Sequence, residues 1–345
     1  MMLERGRYTS GRIALANLSA SIDGLERDRL EGAAFDSLLA LSKLLFLRGE
    51  LLGRIADHDR AESIATEAVD LSPGSARALY LRAQIAGRFH CFAKAKALLD
   101  QALASGHSKQ EIDVETAALL QATGHYDEAL VLRAELAKHD PGINTLGGLA
   151  TLLAEMDQWD AAEACYSAAL DAYDGVSPIP CAQLLFEWGV SAMRRRDLDR
   201  AEAVFAELDA ILPAHVPGRG HRAEVALARG ELDVAAALIT PLVESSDDPE
   251  YRAVYAEILA ARGDSDAATE AELAAEAYEL LLMKRPEAYA DHAAAFFLGI
   301  GKRPKRALVL ASANLKLRDT PRSRKLVAKA QHAAHPVTLV HEVAT

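Results

Sequence analysis

Small and bulky apolar residues recur along this chain on a long, nearly constant period. The clearest column is alanine, at Ala61, Ala95, Ala129, Ala162, Ala201, Ala235, Ala268 and Ala307, in steps of 34, 34, 33, 39, 34, 33 and 39 residues. A period near 34 is that of a two-helix unit stacked on copies of itself. With the alanine numbered 20, position 8 holds Gly49, Ala83, Ala117, Ala150, Gly189, Ala223, Ala256 and Ala295, all Gly or Ala. Position 17 is bulky in the five central units, at Phe92, Tyr126, Trp159, Leu198 and Leu232. Small residues at 8 and 20 let two helices approach closely, while bulky ones at 4, 11, 17 and 24 fill the spaces beside them. Position 18 is Asp in six of eight units (Asp59, Asp127, Asp160, Asp199, Asp233 and Asp266). An acid there belongs in the first turn of the second helix, at the positive end of the helix dipole. Pro73, Pro141 and Pro213 punctuate the ends of units. One hairpin cannot bury its apolar face alone, so neighbours must stack into a continuous core.

With these columns in place, the chain resembles a tetratricopeptide repeat (TPR) protein. The fifth unit matches the family pattern most fully, through Gly189, Leu198, Ala201, Phe205 and Pro213, with Leu208 departing at position 27. The resemblance covers residues 38–320 and is weakest in units one, seven and eight, where His58, Ser265 and Pro304 stand at position 17. Residues 175–180, 245–251 and 289–321 are similar to stretches of uncharacterised bacterial TPR proteins, a likeness that carries no activity with it. The fold implied is all-α: a right-handed α-solenoid, or superhelix, of about eight TPR-like helical hairpins.

The two 39-residue steps break the rule. After unit four the extra residues form a loop at 175–180 whose two prolines cannot continue a helix. After unit seven they lengthen the second helix, over 267–284. Ahead of the array, Ile13, Leu15, Leu18, Ile22 and Leu25 give one helix an apolar set with which to pack on the first repeat. The division expected is therefore residues 1–33 as an N-terminal helix, 34–320 as the array, and 321–345 as a basic capping helix followed by a frayed tail after Pro336.

Half of the residues are apolar but only 6% are aromatic, which suits close helix packing better than a deep enzyme cleft. No run of 18 apolar residues exists, so no transmembrane helix is expected. Asn17, Ser19 and Ser21 interrupt the apolar stretch 13–22, against a secretory signal. Cys91, Cys165 and Cys181 are odd in number and far apart, which points to a reducing cytoplasm rather than a disulfide framework. His90 and Cys91 read as a turn residue and a packed thiol, and no metal or cofactor is expected. There is no G-x-S-x-G, H-E-x-x-H or P-loop, since Phe296 stands where the P-loop's first glycine would be before Gly301-Lys302. The sequence therefore encodes no enzyme.

In TPR proteins that bind extended peptides, positions 2, 5, 9, 12 and 13 of each first helix line the concave face. That resemblance implies a groove of Lys43, Phe46, Glu50, Gly53 and Arg54 in unit one and Arg77, Tyr80, Gln84, Gly87 and Arg88 in unit two. Units three and four contribute Glu111, Val114, Ala118, Gln121 and Ala122, then Asn144, Gly147, Thr151, Ala154 and Glu155. A basic groove with aromatic walls, in a chain of net charge −12, suits an acidic segment or a C-terminal carboxylate. The alternative is that these cations are solvated or pair with acids of the adjacent helix. The Lys and Asn clamp of chaperone-tail-binding TPR domains lacks its Asn here, with Glu50 and Gln84 at position 9.

A second charged surface lies near the C-terminus. Residues 302–329 carry +9, including Arg303, Lys305, Arg306, Arg322, Arg324 and Lys325, while the rest of the chain carries −21. Such asymmetry favours contact with an acidic surface; the segment has no aromatics for base stacking, which disfavours nucleic acid. The reading is a non-catalytic scaffold binding a protein or peptide in its groove. Its alternative is a structural subunit of a homo-oligomer or membrane-associated assembly, joined through the basic end.

Overall fold

The computed structural model describes residues 8–32 and 34–335; the sequence reading of a frayed tail after Pro336 lies outside them. Eighteen α-helices and no strand are found among the described residues. After α1 (Gly11–Leu30), they pair as antiparallel hairpins: α2 (Phe35–Leu52) with α3 (Ile55–Leu71), α4 (Ala76–Arg88) with α5 (Phe92–Ala104), α6 (Lys109–Ala122) with α7 (Tyr126–His139), and α8 (Ile143–Glu155) with α9 (Trp159–Asp171). The second half continues with α10 (Ile179–Arg195) and α11 (Leu198–Ile211), α12 (Val216–Ala228) and α13 (Leu232–Ser245), α14 (Pro249–Arg262) and α15 (Ala267–Lys284), then α16 (Pro286–Leu298) and α17 (Pro304–Leu317). Finally α18 (Pro321–Ala334) packs on α16 and α17. The chain is an α-solenoid.

The small-residue columns have a concrete purpose. A Cβ on Gly49 would lie 2.4 Å from the His58 ring, and one on Gly189 would lie 2.4 Å from the Phe205 ring. Position 8 thus receives a ring from the second helix of its own hairpin. The buried Ser42 hydroxyl donates to the Ala61 carbonyl at 2.8 Å, tying α2 to α3. Proline at the first or second helical residue starts α10, α12, α14, α16, α17 and α18, where its missing N–H has no intrahelical partner to lose.

Four column assignments need correction. Ala268 is exposed, and Ala267, Ala271 and Ala274 are buried instead, where the connection at 263–266 runs to four residues against two or three in the preceding hairpins. Likewise Ala295 is exposed while Ala293 and Ala294 are buried, the five-residue connection at 299–303 having shifted the register. Asp59 is not in a first turn, since α3 starts at Ile55; it instead pairs with Arg285 at 2.6 Å. Asp266 also misses the first turn, because it precedes α15 as its N-cap residue.

The superhelix is wound tightly enough for distant hairpins to meet. The amide of Thr9, just before α1, donates to the Val176 carbonyl at 2.8 Å, and Gly11 rests against the backbone of Ile211 and Leu212. The first hairpin meets the α13–α14 connection, where the Asp247 carboxylate accepts from the Ile55 and Ala56 amides and the Ser246 hydroxyl donates to the Gly53 carbonyl. Arg285 then bridges Asp59 and Glu62 while lying 3.5 Å from the centre of the Phe89 ring. Gly124, at φ +90°, fits against the Asp319 carbonyl where a Cβ would come within 2.2 Å. One apolar cluster consequently runs from Leu18 and Ile22 on α1 to Val327 and Ala330 on α18. Ile13, from the α1 apolar set, remains exposed.

Candidate functional site in the superhelix interior

Because the coil is tight, the first helices of the hairpins converge and enclose an interior. Two adjoining cavities occupy it, of ≈ 720 Å³ and ≈ 540 Å³, within the range of roughly 300–1,000 Å³ typical of ligand clefts. Ala118, Ala122, Gln183, Glu187 and Arg318 line both, so they form one continuous space. The larger is lined by every hairpin except the fourth; the smaller lies between the third to fifth hairpins and the start of α18.

In the larger cavity the charges are mostly matched. Arg88 donates to Glu50 at 2.6 Å, and His58 Nε2 lies 3.1 Å from the same carboxylate. Burial alone would raise the Glu50 carboxyl, but Arg88 and His58 outweigh it and hold the group down at about 2. Across the space His292 lies between Asp291 and Glu250, which hold it protonated up to about 9. Asp291 also accepts from Arg318 at 2.9 Å. His215 is buried, and desolvation pushes it down to about 4; its Nδ1 accepts from the Gly218 amide at 3.0 Å, capping α12. Phe186 stacks on the His221 ring, whose Nδ1 meets Glu224.

The smaller cavity is different, because two of its guanidinium groups lack a carboxylate. Arg194 pairs with Glu155 at 3.1 Å and Arg318 with Asp291, but Arg133 and Arg322 have no such partner among the described residues. Burial pushes Glu187, which shares the lining, above the usual carboxylate range. Tyr126, Thr151, Asn144 and Gln121 supply neutral polar groups around them.

The sequence-expected groove is divided by this geometry. Glu50, Gln84 and Arg88, with Gly53 and Gly87, line the larger cavity, whereas Lys43, Phe46, Arg54, Arg77 and Tyr80 line neither. Phe46 packs against His58 at a centroid distance of 5.3 Å. Arg77 pairs with Asp36 at 2.6 Å, Tyr80 donates to Glu115 at 3.2 Å, and Gln84 donates to Glu115 at 2.8 Å. Lys43 and Arg54 are exposed. At the basic end, Arg303 pairs with Glu272, Arg306 with Glu279 and Arg324 with Asp319, while Lys305 and Lys325 are exposed. Arg322 points away from that surface and lines the smaller cavity.

Sequence reasoning did not place Arg133, His221, Glu250 or His292 in the interior. Arg133 sits on α7, a second helix, and its signal was the adjacent pair Gly147-Gly148 in the middle of α8. Within a helix two glycines cost stability, so they imply something that must pass over them.

Against this geometry, the comparisons are specific about architecture. Residues 148–215 match the family model for the tetratricopeptide repeat. The matched stretch spans the fourth and fifth hairpins. A chain from the crystal structure of the APC/C hetero-tetramer Cut9-Hcn1 matches with a TM-score of 0.53 and 17% identity, over 90% of this chain. This chain spans 58% of that one, and the likeness is one of fold. A TPR protein from Parabacteroides merdae gives a TM-score of 0.43 at 15% identity, over 86% of this chain and 98% of its own. YrrB, described as a TPR protein with an unusual peptide-binding site, gives 0.31 at 16%, over 58% and 95%. No curated protein matches the sequence. TPR arrays generally mediate protein–protein interaction and are typically non-catalytic. Among the described residues, no helix is long and apolar enough to cross a membrane.

Proposed function

We propose that this protein is a non-catalytic scaffold that takes an extended segment of a partner protein into the interior of its superhelix. The observation that carries this reading is the continuous interior space, walled by the inward faces of first helices and rich in polar groups. A polypeptide needs both features, since its backbone amides must exchange water for other hydrogen-bond partners. Cys91, Cys165 and Cys181 are thiols rather than halves of disulfides, which supports a reducing compartment such as the cytoplasm.

The basic C-terminal end is a weaker candidate for the principal contact. Arg303, Arg306 and Arg324 already hold carboxylates of their own chain, which leaves fewer cations for an acidic neighbour, a second copy or an anionic membrane surface.

The interior reading is tested by adding bulk on either side of the wall. Gln183 is exposed and lines both cavities, whereas Val131 is exposed on α7 and lines neither. Affinity purification of partners should fail with Gln183→Trp and persist with Val131→Trp, both variants having the wild-type circular dichroism. Equal recovery from both would overturn the reading.

A further inference from the structure

The smaller cavity contains positive charge that the fold does not use. Arg133 starts on the outer layer, and its guanidinium reaches the interior over Gly148, where a Cβ would lie 1.9 Å from Nη1. Next to it, Gly147 makes the same allowance for Leu184, at 2.5 Å. The Arg133 Nε is buried and has no hydrogen-bond partner. Burying a guanidinium nitrogen without a partner is costly, so a fold that gives up the side chain at Gly148 to admit Arg133 carries that cost for a reason outside its own packing. Arg322, in the first turn of α18, lines the same cavity and is solvent-exposed. Its neighbours Arg194 and Arg318 are both engaged, with Glu155 and Asp291. Arg322 keeps contact with solvent, yet the enclosing protein wall and then the repulsion of Arg194 push it below the ordinary guanidinium value. An incoming anion would offset both.

Resting on the reading of the interior as a peptide site, we infer that this cavity is a carboxylate subsite in which Arg133 and Arg322 hold an acidic group of the bound segment. Guanidinium presents paired N–H donors that match the two oxygens of a carboxylate. A singly charged carboxylate fits better than a dianionic phosphate, because Glu155 and Glu187 share the lining. The carboxylate has two sources in a polypeptide, an Asp or Glu side chain and the chain end. Both would be bound by the same groups.

The probes are fluorescein-labelled octaglutamate with an amidated C-terminus, octaglutamine with a free C-terminus, octaglutamine amide, and a phosphoserine octapeptide amide, followed by fluorescence anisotropy. The wild type should bind octaglutamate amide if side chains are recognised, or free-acid octaglutamine if the chain end is, and should bind octaglutamine amide least. Arg133→Met and Arg322→Met should each weaken the preferred carboxylate probe about 10-fold or more, as expected for loss of a charged hydrogen bond. Lys305→Met, at an exposed cation outside the cavities, should not. Arg322 is solvent-exposed, so its variant tests the site even if Arg133→Met folds poorly. Failure of both carboxylate probes to bind, unchanged affinity in Arg322→Met, or preference for the phosphoserine peptide would overturn the assignment. Loss of partner capture in Gln183→Trp but not in Arg133→Met or Arg322→Met would leave the interior reading standing without this subsite.

Discussion

The Asp247 carboxylate accepts a hydrogen bond from the Ile55 amide at 2.6 Å, although 192 positions of chain separate them. Its other oxygen accepts from the Ala56 amide at 2.9 Å. Arg54, the residue before α3, provides no side-chain cap, so this helix is capped by an acid from the connection between the sixth and seventh hairpins. In an open solenoid each repeat touches only its neighbours. Here the winding adds a second set of contacts, and it is these that enclose the interior.

Removing that cap should therefore weaken the whole array as well as one helix. Asp247→Ala is expected to lower stability by about 1–2 kcal/mol, the range for losing a helix N-cap. Urea unfolding followed by circular dichroism measures it. An unchanged midpoint would show that the contact between these turns adds nothing.

Gly189 tests the small-residue column. A Cβ there would lie 2.4 Å from the Phe205 ring, so Gly189→Ala should cost about 1–3 kcal/mol through overpacking. Shortening the ring with Phe205→Leu should recover part of that loss in the double variant, because the two residues touch. Additive losses in a double-mutant cycle would contradict the packing described.

The interior histidines make stability depend on pH in two opposite directions. His292 is raised to about 9 by Asp291 and Glu250, so its contribution is complete below its ordinary value near 6.5 and is lost as pH rises through 9. Buried His215 is lowered to about 4, as is His90, so their contribution is present above 6.5 and is lost as pH falls toward 4. Urea midpoints should consequently fall on both sides of neutrality. His292→Gln should flatten the alkaline limb alone; if that limb is unaltered, His292 is not the group responsible.

The repeat was legible because it is local: the Gly and Ala columns and the turn prolines act within one hairpin. Register slipped where the connection lengthened, at Ala268 and Ala295, since nothing in the apolar pattern reports how many residues a turn will use. The expected groove cations were harder to judge. Arg88 and Glu50 are 38 residues apart, one repeat plus about one helical turn, and opposite charges at that separation are a readable sign of pairing between neighbours. Contacts such as Asp247 with Ile55 or Gly124 with Asp319 had no comparable sign, because they depend on the small rotation between successive hairpins summed over several units. That sum also decides which inward positions enclose a cavity. It left Lys43 and Arg77 outside and brought Arg133 and Arg322 in.

The central claim is that a partner segment lies inside the superhelix. Site-specific photo-crosslinking tests it most directly, with benzoylphenylalanine placed at Gln183 in the interior or at Val131 on the outer surface, in cells that make the protein. The account predicts a crosslink from position 183 that maps by mass spectrometry to one extended segment of a partner, with none from position 131. Crosslinks to a partner from position 131 alone would contradict it and move the binding surface to the outside of the coil.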